Sequence, residues 1–356
     1  MLGAGQHILP ADAETACGEA MRLRPSIIGG LLLAAMTAVR PARADVATLR
    51  IVVPVDLASL SLIVAAHEHL VEKQLEARGF GGVTVQWLTP NGGKPLDELM
   101  NGQADIVATT DLVGFLLAWD ERSGTPQEIR GLASLARMPY TLLSRNPAIA
   151  TIRDFTEKDR IAVPATKVSL PAVMLEMAAA DEWGAAHYDK LDPLTVARGS
   201  DAADKALHSP KGDIDTDFSR MPYADDERGD PAIHRVMDSF DIAGPHSIGA
   251  VVTTATFHDA NPALCAAVVG AITGADGLIS AGRGAAAEIY DVMEKTNGIP
   301  VEDLTDMLGD PDVSFTPAPA GTLRLVKFLH QIGRIRHSAE SWQQLFFPEV
   351  YKLPGS

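Results

Sequence analysis

Short, continuous apolar runs alternate along this chain with longer stretches in which apolar residues recur every third or fourth position. The runs predict buried strands of the parallel kind, and the longer stretches predict amphipathic helices. Leu49 to Pro54 is the first such strand, and a polar loop carrying Asp56, Ser59 and Ser61 follows it. From that loop a helix is expected to about Ala77, with Leu60, Ile63, Val64, Leu70, Val71 and Leu75 on its apolar stripe. Gly79 and the Gly81-Gly82 pair end it. Next come a strand from Val83 to Leu88, a turn over Thr89-Pro90-Asn91-Gly92-Gly93, and a short helix from Lys94 to Met100, which Asn101-Gly102 suits as a C-terminal cap. Ala104 to Thr109 is the next strand, and Asp111 to Trp119 opens a helix.

The plan then repeats. Arg130 to Ser144 supplies one or two strands leading into a second half, where strand Arg160 to Pro164 meets the polar loop Thr166-Lys167-Val168-Ser169. A helix from about Pro171 to Ala180, a strand at Leu194-Thr195-Val196 and a helix from Ala202 to Leu207 follow. Arg50-Ile51-Val52-Val53-Pro54 returns as Arg160-Ile161-Ala162-Val163-Pro164, and Ala104-Asp105-Ile106 returns as Gly212-Asp213-Ile214. Ile51 and Asp105 lie 54 positions apart, and Ile161 and Asp213 lie 52 apart. The matched spacing, more than the letters, predicts two similar α/β lobes with a ligand-sized cleft between them. Ser247 to Thr254 carries the chain back to the first lobe, and helices follow at Asn261 to Ile279, Ala285 to Thr296, Val301 to Met307 and Thr322 to Ile332. Residues 45–138 and 247–356 are thus assigned to lobe one, and 139–246 to lobe two. Two crossings make a hinge of two strands, and the alternation of elements predicts open, mostly parallel sheets.

The front of the chain changes the picture of where the protein acts. Met21-Arg22-Leu23-Arg24 precedes an apolar run from Ser26 to Val39, and Pro41-Ala42-Arg43-Ala44 offers a small-residue cleavage site. Together they read as a secretory signal peptide behind a short upstream extension, with Asp45 opening the mature chain. The run of 14 residues falls short of the roughly 20 that span a bilayer. After it, no apolar run was expected to approach spanning length. Of the two cysteines, Cys17 lies ahead of the cleavage site and Cys265 in an apolar helix, so no internal disulfide is expected. An exported chain without disulfides or a lipid anchor fits a bacterial periplasm. Removing residues 1–44 leaves 26 basic against 43 acidic residues, a balance of −17. Such a surface repels nucleic acid and anionic lipid, though a local pocket can still hold a small anion.

Catalytic and cofactor chemistry is poorly supported by the motifs. His67-Glu68-His69 places two imidazoles about 200° apart on a helix, so they cannot share one metal ion. There is no His-x-x-x-His pair, nucleophile elbow, phosphate loop or dinucleotide fingerprint. Asp225, Asp226, Glu227 and Asp230 form a charge run expected on a solvated loop. No cofactor and no metal are called for.

The loops beyond the strands carry the candidate ligand contacts, since open α/β sheets bind there. In lobe one these are Asp56, Ser59, Ser61, Thr109, Thr110 and Asp111. In lobe two they are Thr166, Lys167, Ser169, Thr216, Asp217 and Arg220. Several precede helices, where free N–H groups favour an anion. Ser59, Ser61 and Ser169 suit capping as well as contact, and Asp111 suits a cap. Lys167 offers a counter-charge or a surface position. Arg220 can clamp an oxyanion while Asp217 receives an ammonium group, or the two form a local ion pair.

Four segments carry a resemblance to a known family. They are the strand Leu49-Arg50-Ile51 with the serine-bearing loop and helix after it, Leu99-Met100-Asn101-Gly102-Gln103-Ala104-Asp105-Ile106, the step Ile152-Arg153-Asp154-Phe155, and the strand Arg160-Ile161-Ala162-Val163-Pro164. In order, and behind an export signal, they resemble the periplasmic solute-binding proteins of ABC importers for nitrate, sulfonates and taurine. These share a fold with thiamine-pyrimidine-synthase-like proteins. The resemblance implies a type II binding-protein fold of two α/β lobes on a two-strand hinge, closing around one small solute; a small organic anion or zwitterion is the expected solute and a monomer the expected state. It also implies docking onto a membrane permease and its ATPase. The chain departs from the pattern at Ala165-Thr166-Lys167-Val168-Ser169 and at Ser219-Arg220-Met221-Pro222. An enzyme on the same fold and a ligand-sensing partner of a receptor remain the alternative readings.

Overall fold

The computed structural model describes residues 46–91, 94–294 and 299–356. The signal-peptide segment, the tip of the turn at Gly92-Gly93 and the expected helix end at Thr296 lie outside the described residues.

Lobe one begins with β1 (Thr48–Val52), a helical turn at Leu57–Ser59, α1 (Leu60–His67), α2 (Leu70–Ala77), β2 (Thr84–Leu88), α3 (Pro95–Met100), β3 (Ile106–Thr109), α4 (Leu112–Arg122) and β4 (Ile129–Ser134). The chain then crosses to β5 (Thr141–Ser144), β6 (Ile161–Val163), α5 (Leu170–Trp183), β7 (Thr195–Ala197), α6 (Ser200–His208), β8 (Thr216–Ser219), α7 (Tyr223–Gly229), β9 (His234–Asp238) and α8 (Ser239–Ala243). It returns as β10 (Ala250–Thr254) and continues through α9 (Ala255–Ala260), α10 (Pro262–Ala281), α11 (Arg283–Glu294), α12 (Val301–Met307) and α13 (Thr322–Gln331).

Two five-stranded sheets result, in the orders β2-β1-β3-β10-β4 and β7-β6-β8-β5-β9. Each is mixed, with four strands running one way and one reversed. The strand that arrives after a crossing, β10 or β5, runs antiparallel to both of its neighbours. The expected continuous helix to Ala77 is broken at His69, whose left-handed φ of 53° separates α1 from α2. The acidic run after Pro222 is α7 rather than a loop, with Ala224 and Glu227 buried beneath it. Edge strand β9 escapes a linear reading because Val236 and Met237, its only apolar residues, are adjacent and flanked by His234, Arg235 and Asp238.

The repeat is closer than the letters suggested. Asp105 accepts from the backbone N–H of Arg50 (2.8 Å), and its own N–H donates to the Arg50 carbonyl (3.0 Å). In lobe two the residue making both bonds is Asp215, not Asp213, with Arg160 as partner (3.0 and 3.3 Å). Each pair is 55 positions apart, so the two sheets share one spacing without the two-residue slip. An aspartate here satisfies an N–H at the start of the central strand that the ladder leaves open.

The two crossing segments run side by side and are buried. Leu135 N–H donates to the Gly249 carbonyl (3.1 Å), and Ile248 N–H to the Ala136 carbonyl (2.9 Å). Leu135, Ala136, Met138 and Ile248 are all enclosed. Gly249 is required there, because a Cβ would fall 1.8 Å from the Thr109 carbonyl oxygen. α10 corrects the membrane expectation: it is 20 residues long and apolar enough to cross a bilayer by length and composition. Half of its 20 residues are buried in the protein, where it packs on α1 and α2 as a core helix would. Cys265 sits fully buried on that helix.

Replacing Asp105, itself buried, with Ala should lower the unfolding free energy by about 1–3 kcal/mol, the cost of orphaning an enclosed N–H. Urea denaturation of the protein lacking residues 1–44 measures it.

Candidate functional site

The carboxyl ends of the parallel strands of the two sheets face one another, and the contacts between them cross over. The loop after β1 meets the loop after β8, and the loop after β3 meets the loop after β6. In the first meeting the Arg220 guanidinium grips Asp56 with two parallel bonds, Nη1 to Oδ1 (2.9 Å) and Nη2 to Oδ2. Its Nε donates to the Tyr140 hydroxyl (3.2 Å). Arg220 is only 9% exposed. Burial works against its charge, yet Asp56 and Tyr140 outweigh that and raise its proton affinity. Burial also pushes the Tyr140 hydroxyl up to about 12, despite the nearby cation. Asp56 is held in place by capping its own helical turn, accepting from Ala58 N–H (2.8 Å).

In the second meeting Asp111 caps α4, accepting from the N–H groups of Val113 (3.0 Å) and Gly114 (3.2 Å). The same oxygen accepts from the N–H of Leu170 (3.1 Å), the first residue of α5 in the other lobe. Loss of water pushes Asp111 up to about 6, against the pull of these three donors. Ser169, at the N-cap of α5, does not cap it; its hydroxyl donates back to the Ala165 carbonyl (2.6 Å). A further tie runs from Arg334, after α13, to Glu176 in α5 (2.9 Å). Burial pushes Glu176 up to about 7, although Arg334 opposes it.

Other residues singled out in the sequence lie elsewhere. Thr109 bonds the Asp111 backbone (3.2 Å), Ser59 is fully buried with no partner for its hydroxyl, and Ser61 donates to Asp276 of α10. Thr110 and Thr166 are half-buried. Lys167 has a left-handed φ of 67° and its ammonium reaches Asp192 (3.5 Å). The Thr216 hydroxyl lies within hydrogen-bond reach of the Ser144 hydroxyl (3.0 Å) and the Asp215 carboxylate (2.8 Å). The alternative of a local pair between Asp217 and Arg220 is contradicted. Side chains alternate along β8, so Asp217, opposite Leu143 and Ala162, faces the small core under α6 and α7. There it meets Glu227, also buried.

Sequence reasoning missed several groups. Tyr140 carries no signal of its own before β5. A cleft of about 980 Å³ opens beside Met221-Pro222-Tyr223 and is closed on the other side by α12 and Arg283. Seven aspartates line it, and none of the twelve candidates does. Asp204 and His208, one turn apart on α6, approach Asp226 of α7 with ligand atoms all within 4.8 Å of one another, a grouping no linear motif showed.

This double sheet with facing strand ends and a paired crossing is the fold of the periplasmic binding proteins. The chain is similar to the aliphatic sulphonate binding protein SsuA of Escherichia coli, with TM-score 0.63 and 17% identity over 85% of this chain and 99% of that one. It is similar to the alkanesulfonate-binding SsuA of Xanthomonas axonopodis pv. citri bound to MOPS, with TM-score 0.60 and 19% identity over 82% and 92%. The nitrate-binding NrtA of Synechocystis PCC 6803 matches with TM-score 0.64 and 13% identity over 88% and 90%. No family model and no curated protein matches the chain.

The pH dependence of stability follows from the buried acids. Burial pushes Asp217 up to about 7, against a hydrogen bond from Glu227, and burial together with the neighbouring Asp217 carboxylate raises Glu227. With Glu176, these groups keep protons in the folded chain that the unfolded chain has released. Stability from them therefore falls as pH rises through 7. His246, held down to about 4 by burial, acts in the opposite direction only below its ordinary 6.5. The melting temperature should fall between pH 6.5 and about 8.5, and Asp217→Asn should flatten that fall in a calorimetric series.

Proposed function

We propose that this protein is the exported solute-binding component of an ABC importer, closing its two lobes on a small organic zwitterion. The lobes are taken as 45–138 with 247–356, and 139–246, with residues 1–44 removed on export to the periplasm. The relatives in fold are named as periplasmic binding proteins, which supports capture and hand-over to a permease and its ATPase rather than conversion.

One observation carries the reading of the solute: Asp56 from one lobe and Arg220 from the other face each other, the guanidinium buried and the carboxylate partly so, with side chains 10% and 22% exposed. A simple anion taken up by Arg220 would leave the Asp56 carboxylate next to it without a partner. A simple cation would leave Arg220 in the same state. An unpaired charge in such a place costs several kcal/mol. A solute with an acid group for Arg220 and Tyr140, and an ammonium for Asp56, satisfies both. The acidic cleft beside it favours the same choice, since seven aspartates repel a bare anion and tolerate a molecule of no net charge. Of the other predicted contacts, Asp111, Ser169 and Thr166 belong to the neighbouring meeting of loops at α5 and would border the solute.

Isothermal titration should show one site per chain for an aminosulfonate such as taurine, and weaker binding of methanesulfonate or of a simple amine. Arg220→Lys should weaken the aminosulfonate by about 1.5–3 kcal/mol, because an ammonium cannot reproduce the two-pronged grip. Equal binding of taurine by both proteins would remove Arg220 from the site.

A further inference from the structure

Lobe two offers two receivers for negative charge, the Arg220 fork and the N-terminus of the 14-residue helix α5. Both are occupied, and in each case by a carboxylate of lobe one. Asp56 fills the fork, and Asp111 takes the Leu170 N–H that Ser169 leaves uncapped. Neither acid needs lobe two for its local role, since Asp56 already caps Leu57–Ser59 and Asp111 already caps α4. The two contacts lie on the two crossed loop pairs, so together they span the gap rather than pin one corner.

We propose that Asp56 and Asp111 are tethered surrogates for the solute's acid group, which close the lobes on one another when no solute is present and must be displaced when it binds. This rests on the reading of the protein as a binder of acid-bearing solutes. The physical logic is competition at fixed geometry. A carboxylate attached to the chain is present at high local concentration, so the Arg220 fork is free only in the fraction of molecules whose lobes have parted. The solute's apparent affinity is reduced by that fraction. The device keeps Arg220 from lying buried and unpaired while the cleft is empty. It also restricts tight binding to solutes whose acid group grips the guanidinium better than Asp56 does.

The test uses two substitutions that preserve the caps, Asp56→Asn and Asp111→Asn, because asparagine caps helices as well as aspartate does. Small-angle scattering of the solute-free proteins reads closure, and titration with methanesulfonate reads competition. The double variant should scatter with a larger radius of gyration than the parent, though the tie from Arg334 to Glu176 remains in both. Asp56→Asn should bind methanesulfonate about tenfold more tightly or better, because the competitor has lost its charge. A solute-free double variant as compact as the parent would overturn the proposal, as would unchanged or weaker methanesulfonate binding by Asp56→Asn. If no sulfonate or carboxylate binds either protein, the solute reading fails, and scattering alone decides whether the two acids hold the lobes shut.

Discussion

A guanidinium stripped of most of its water is tolerable only beside an opposite charge, and in this protein the nearest one belongs to the other lobe. Arg220 and Asp56 therefore tie the two halves to one another. The paired crossing makes the meeting possible. Its two buried segments bond to one another through Leu135 and Ile248. With the sheets joined in this way, the carboxyl ends of the parallel strands in each sheet face across the gap, and their loops meet in crossed pairs.

Charge is distributed around this gap in a way that favours balance over attraction. Two cations at the loop meetings are matched, Arg220 by Asp56 and Arg334 by Glu176. Acids, by contrast, accumulate along the open cleft and behind β8, where Asp217 and Glu227 share a buried site with Asp204 nearby. On the reading proposed above, a solute entering such a place would gain little from carrying net negative charge. It would gain a partner for each member of the pair that its arrival separates, and the cost of separating them would favour a molecule bearing both signs.

The duplicated plan was legible because strands report themselves through continuous apolar letters and turns through glycine and polar residues. The register of the second copy was not. Asp213 and Asp215 flank Ile214 symmetrically, and only the hydrogen bond to the Arg160 N–H distinguishes them. Helix α7 and strand β9 escaped for a related reason. Their charged residues look solvated in a linear reading, while the side chain of Glu227 is turned inward by the helix that carries it. The same blindness affected α10, whose apolar letters suit a bilayer and a protein core equally well.

The sequence alone determined the alternation of elements, the two-fold repeat, the double crossing and the loops in which charged side chains would collect. These depend on local periodicity and on spacing along one dimension. Only the tertiary structure decided which charge met which. Asp217 and Arg220 are three residues apart yet leave β8 in different directions, while Asp56 and Arg220 are 164 residues apart and touch. Coulomb attraction acts through space and desolvation depends on what closes over a side chain, and neither is written in the order of the letters.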